Sequence, residues 1–129
     1  YDQKPKGETA EDAVKFLIED EKGRAFLTSM VSCLFARGVY SDEVLGNCLK
    51  SVGYVTLADS MDVVAAEIQR LRWRMRLGAG FRPESVSIPK RFSEITTRRG
   101  PVDRQSIEEL KTAYAQAILR LAAEGAEEQ

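Results

Sequence analysis

The chain has 129 residues, 43% of them hydrophobic and 30% charged, with a net charge of −1. That length suffices for one buried core, and the composition excludes an intrinsically disordered chain. No apolar run approaches the ~20 residues of a membrane-spanning helix, and 19 basic against 20 acidic residues give no bulk attraction to nucleic acid or anionic lipid.

Histidine is absent. That removes the commonest general base, every Ser–His or Cys–His nucleophile pair, and the commonest metal ligand. The two cysteines, Cys33 and Cys48, are too few for a disulfide scaffold and lack zinc-like spacing. With no signal-peptide pattern, a reducing, cytoplasmic setting is expected. The chain opens on Tyr1 rather than Met and is expected to belong to a longer polypeptide.

No internal repeat or low-complexity segment is present. Residues 1–8 read as a connecting tail, 9–125 as a single helical domain and 126–129 as a frayed end. Thr9 with Asp12 resembles a helix-starting box, followed by the stripe Val14, Leu17, Ile18 and a break at Lys22-Gly23. Leu27, Met30, Val31, Leu34 and Phe35 predict a helix over 24–37, with Gly38 as its stop. Ser41 opens another, in which Val44, Leu45, Cys48, Leu49 and Val52 recur at helical spacing up to Gly53. Tyr54 to Leu57 reads as a packed connection. Met61, Val64, Ala65, Ile68, Leu71 and Met75 predict the longest helix, closed by Gly78 and Gly80. Pro83, Pro89, Gly100 and Pro101 mark a long irregular loop over about 81–103. Ser106 with Glu109 opens a last amphipathic helix that runs to Gly125. The expected fold is all-α: about five helices in an orthogonal bundle.

Several groups could carry chemistry. Arg70, Arg72, Arg74 and Arg76 alternate along the long helix. They are either a solvated face or, with Trp73 stacking, a phosphate or nucleic-acid contact. Balanced total charge favours the first reading. Arg98-Arg99 is a second basic point. Glu8, Glu11, Asp12 and Glu19-Asp20-Glu21 read as solubilising surfaces rather than an acid–base pair. Cys33 and Cys48, on apolar stripes, read as small buried hydrophobes. A single thiolate cannot hold a metal alone.

The order of segments along the chain carries a resemblance. Arg24-Ala25-Phe26-Leu27-Thr28-Ser29-Met30-Val31-Ser32-Cys33-Leu34-Phe35 comes first. Glu67 to Phe81 follows, with Arg72-Trp73-Arg74 at its middle, then Ile88-Pro89-Lys90-Arg91-Phe92, a Gly100-Pro101 turn and a helix bearing Tyr114. Over roughly residues 20–118 this resembles the C-terminal helical domain of the aldehyde ferredoxin oxidoreductase family.

The resemblance implies that Cys33 is the last ligand of a [4Fe–4S] cluster whose other cysteines lie in upstream domains of the same polypeptide. It implies that Thr28 and Ser32 face a tungsten- or molybdenum-bis-pterin cofactor, and that residues 76–92 help to line a substrate channel. The parent would oxidise an aldehyde or related carbonyl compound and pass electrons to ferredoxin, with neither nucleic acid nor membrane as partner. The isolated chain is expected to hold no cofactor and to be inactive. The family pattern Asp-x-x-Gly-x-Cys reads here with Thr28 for its aspartate and Val31 for its glycine. The Asn-x-Arg-x-Gly end of the long helix reads Arg76-Leu77-Gly78-Ala79-Gly80, and the paired aspartates read Ser85-Val86. These departures mark a divergent member, or a non-catalytic helical interaction module that keeps the scaffold.

Overall fold

A computed structural model describes residues 9–97, 100, 101 and 103–124. The tail 1–8, the basic pair Arg98-Arg99, the stop at Gly125 and the end 126–129 lie outside the described residues.

The chain is all-α. Six α-helices follow in order among the described residues: α1 Ala10–Ser29, α2 Asp42–Ser51, α3 Val55–Asp59, α4 Met61–Gly78, α5 Arg91–Glu94 and α6 Arg104–Ala123. Two short 3-10 turns, Leu34–Ala36 and Pro83–Ser85, interleave with them. The count is six rather than five because the two helices expected before Gly38 are the single α1, while Val55–Asp59, read as a connection, and Arg91–Glu94, read as loop, are helical. The segment after α4 is further ordered by a two-residue antiparallel pairing of β1 Thr96–Thr97 with β2 Gly100–Pro101, Thr97 opposite Gly100. Among the described residues no helix is long and apolar enough to cross a membrane.

Local chemistry sets the helix starts. Asp12 receives the Thr9 hydroxyl at 2.8 Å, and the Asp12 backbone N–H donates to Thr9 Oγ1 at 3.2 Å. Ser41 caps α2 by accepting the Val44 N–H at 3.3 Å. At α6 the cap is Asp103, not Ser106: Ser106 donates both its backbone N–H and its hydroxyl to Asp103 Oδ2, each at 2.8 Å. The helix therefore begins nearer Asp103 than the Ser106–Glu109 spacing implies. A carboxylate is the stronger acceptor and sits at the positive end of the helix dipole.

Three helix ends use one device. In a Schellman closure the chain turns through a left-handed residue while two N–H groups reach back to the last turn. Gly53, at φ 92°, and Tyr54 close α2 onto Lys50 O and Leu49 O. Gly80, at φ 93°, and Phe81 close α4 onto Leu77 O and Arg76 O. Val31, at φ 58°, and Ser32 close α1 onto Thr28 O and Leu27 O at 3.0 and 3.1 Å. The predicted 24–37 helix thus ends at Ser29, and Gly23, expected to break the chain, lies inside α1.

The chain divides into two compact units: Glu19–Arg72, and the described residues of 1–18 with those of 73–129. In the Glu19–Arg72 unit, Phe26, Leu27, Leu45 and Ala65 form the buried core, with Met30, Leu34, Tyr40, Met61, Val64 and Ile68 packed against it. In the other, Trp73, Ile118 and Ala122 form the core, joined by Leu77, Phe81, Tyr114 and Leu121. Burying aliphatic and aromatic side chains of this kind contributes about 1.5–3 kcal/mol each.

Candidate functional site

Cys33 lies in the Glu19–Arg72 unit, two residues past the left-handed Val31. Its backbone is extended, at φ −71° and ψ 119°, and its carbonyl accepts the Ala36 N–H at 3.0 Å to open the Leu34–Ala36 turn. The thiol is exposed. The expectation of a buried thiol on a helix fails because α1 ends at Ser29 and the chain turns over Val31, so that Cys33 stands in the exposed stretch between Met30 and Leu34, which both pack on the core. Cys48 is also exposed: on α2 it is Leu45, Gly46 and Leu49 that face inward. Val31 and Phe35, from the same predicted stripe, are 93% and 98% exposed, and they flank Cys33 on the same loop.

Thr28 is exposed near the end of α1, and its hydroxyl donates to the Arg24 carbonyl at 2.7 Å. Ser32 is half-buried, with its backbone N–H committed to Leu27 O. Arg37 follows, its Nη1 donating to Leu34 O at 3.1 Å. Among the described residues, no three His, Cys, Asp or Glu side chains gather as a metal site. A cluster using Cys33 would therefore draw its remaining ligands from beyond the described residues. An exposed thiolate on extended backbone can serve as that one ligand.

A cleft of about 560 Å³ opens in the same unit. Phe26, Leu27 and Leu45 line its apolar side. Ion pairs line its rim: Lys22 binds Asp62 and Glu19, each at 2.8 Å, and Arg24 binds Asp20 at 2.6 Å. The hydrogen bond to Asp62, then that to Glu19, holds the Lys22 ammonium above its ordinary pKa of 10.5. Gln69, 2% exposed, donates to Glu21 at 3.2 Å, which satisfies its buried amide.

Of the arginine row, Arg70 and Arg74 are half-buried and Arg72 and Arg76 exposed. Trp73 is 4% exposed, so its indole is core and is not presented for stacking on a base. The Arg76 guanidinium instead lies 4.9 Å from the Trp73 ring and 5.2 Å from Phe81, a cation–π stack. Arg82 donates to Leu77 O and Phe81 O and covers the carbonyl end of α4. Residues 76–92 contribute Phe81, Pro83, Val86 and Ile88 to a second cavity, of about 240 Å³, wholly within the second unit. The sequence offered no signal for this cavity, because its lining is scattered from Leu17 to Ile118.

No family model, curated protein or solved structure matches the chain.

Proposed function

We propose that the chain is the C-terminal helical domain of a divergent aldehyde ferredoxin oxidoreductase-like enzyme of the cytoplasm. In this reading it lends the Cys33 thiolate to a [4Fe–4S] cluster held otherwise by upstream domains. Beyond the order of motifs, one observation carries the reading: the Cys33 thiol is exposed on a loop between the exposed apolar side chains of Val31 and Phe35. Large apolar groups left in water are unusual unless another surface covers them. Such a cover is what a cluster shared between domains requires.

When bound, the tungsten- or molybdenum-bis-pterin and the cluster supply two-electron oxidation of a carbonyl substrate and single-electron transfer to ferredoxin. This chain's own contribution is narrower. Cys33 presents one thiolate. The Val31 closure fixes where the backbone leaves α1, and Val31 and Phe35 exclude water around the sulfur when covered. Thr28 and Ser32 stand on the same turn, and their backbone bonds hold it. Residues 76–92 are the segment assigned to the substrate side.

The test is metal content of the anaerobically purified, full-length polypeptide that contains this chain. About four irons and one tungsten or molybdenum per chain are expected, with the iron lost in Cys33→Ala. Iron unchanged by Cys33→Ala removes Cys33 as a ligand. A metal-free protein supports the second reading, a non-catalytic interaction module that uses the Val31–Phe35 surface for a protein partner.

A further inference from the structure

From the cavity beside Trp73 we infer a binding site for a small, neutral, apolar molecule, of the class of a monocyclic aromatic hydrocarbon. The site lies in the second unit, whereas Cys33 belongs to the first, and the inference stands whether or not Cys33 binds iron. The cavity has about 240 Å³. It is open on one side, a pocket rather than a sealed void, and its wall is almost wholly apolar, as the walls of small-molecule sites are.

The lining decides what can fill it. Trp73, Phe81 and Tyr114 form an aromatic corner. The Trp73 and Tyr114 rings meet edge-on at 82° with centroids 6.5 Å apart, and Phe81 is tilted by 36° at 6.1 Å. Ile107 and Ile118 of α6 add aliphatic wall. Among the described residues the lining holds one charged side chain, Lys111, and its ammonium is already paired with Glu108 at 2.6 Å.

A bound water needs two to four polar partners, which this lining hardly offers, so an apolar molecule gains by displacing the solvent that stands against it. Within the lining an anion could pair only with Lys111, displacing Glu108, and it would then set its charge among hydrocarbon. A neutral apolar molecule meets neither obstacle. A cavity of 150 Å³ accommodates benzene, so 240 Å³ suits about ten non-hydrogen atoms: one ring with a short substituent.

Trp73 is the only tryptophan in the chain and lines the cavity, so its emission reports occupancy directly. Toluene is the probe, titrated into the 129-residue chain with fluorescence and melting temperature as readouts. A saturable change in Trp73 emission is expected, with a Kd on the order of 0.1–1 mM for so small a ligand, together with a raised melting temperature. Benzoate, equal in ring but anionic, is expected to bind at least tenfold more weakly.

Two variants separate a site from general partitioning. Ala115→Leu fills the cavity from α6, and Val86→Phe narrows it from the exposed edge and leaves the buried core in place should the first fail to fold. Each folded variant is expected to lose the saturable response. A response linear in toluene, or one unchanged in a folded variant, overturns the proposal. Benzoate binding as tightly as toluene overturns the assignment to a neutral ligand.

Discussion

Ser32 donates its backbone N–H to the Leu27 carbonyl at 3.1 Å, and that bond turns the chain over a valine, Val31, held at φ 58°. The same turn at α2 and α4 uses Gly53 and Gly80. A side chain in the left-handed region costs about 1–2 kcal/mol, most of all when β-branched. Val31→Gly is therefore expected to stabilise the chain by about 1 kcal/mol, read as a higher urea midpoint at unchanged slope. Gly80→Val should lose a similar amount. A Val31→Gly protein no more stable than its parent would mean that the valine is not strained.

Gly23 presents the opposite case. It lies inside α1, and a methyl group built on it meets nothing within 4 Å. Gly23→Ala should stabilise the helix by about 1 kcal/mol through lower backbone entropy in the unfolded chain. Thermal unfolding followed by circular dichroism checks it, and a lower melting temperature would contradict the continuous α1.

Two groups link stability to pH with opposite sign. The Ser106 backbone N–H, and then its hydroxyl, hold the Asp103 carboxyl below its ordinary 3.8. Its contribution is complete above that value and fades as pH falls through the lower, folded one. Asp103→Asn keeps a capping oxygen but cannot titrate, so it should lose less stability than the parent as pH falls below 3.8. Lys22 is raised, so its contribution is complete below 10.5 and fades as pH rises past it. Lys22→Gln should show a shallower alkaline loss. Parallel denaturation midpoints across pH test both, and identical profiles for parent and variant would remove the group concerned.

Ile118 is 1% exposed at the centre of the core built on α6, while the adjacent Leu119 is 40% exposed. Ile118→Ala should cost about 2–5 kcal/mol, from lost transfer energy and the cavity left behind. Leu119→Ala should cost under about 1 kcal/mol. Equal losses at the two positions would place the buried face of α6 elsewhere.

Both thiols are exposed. Iodoacetamide should therefore add to Cys33 and Cys48 in the native chain, giving two adducts by mass without denaturant. Labelling that waits for unfolding would return both cysteines to the core. Cys33→Ser should leave the melting temperature of the isolated chain essentially unchanged, since surface substitutions shift stability within about 0.5 kcal/mol.

The helices that the sequence reveals best are those whose pattern and caps agree. Ser41 and the Leu45–Leu49 spacing mark α2, and Met61 to Gly78 marks α4. The run Leu27, Met30, Val31, Leu34, Phe35 misleads because its spacing is helical while nothing at position 31 announces a stop. The usual glycine is replaced by a residue that only the backbone hydrogen bonds force into the left-handed region. The error carries to Cys33, whose exposure follows from leaving the helix at Ser29. Trp73 is misjudged differently: alternation with arginines suggests a surface, but a helix places it a full turn from Leu77 and on the side that meets Ile118. The 240 Å³ cavity could not be read at all, since its walls come together only in three dimensions.

Each helix start described here is settled by partners three residues apart, as in Thr9–Asp12, Ser41–Val44 and Asp103–Ser106. Each Schellman end reaches back five, as in Leu27–Ser32, Leu49–Tyr54 and Arg76–Phe81. Such bonds form on the timescale of helix–coil relaxation, about a microsecond or less. Helix limits can therefore be chosen before any distant contact exists, and a chain organised this way should fold fast for its length. The slow events left are the closures between remote segments: Phe26 with Leu45 and Ala65, and Trp73 with Ile118.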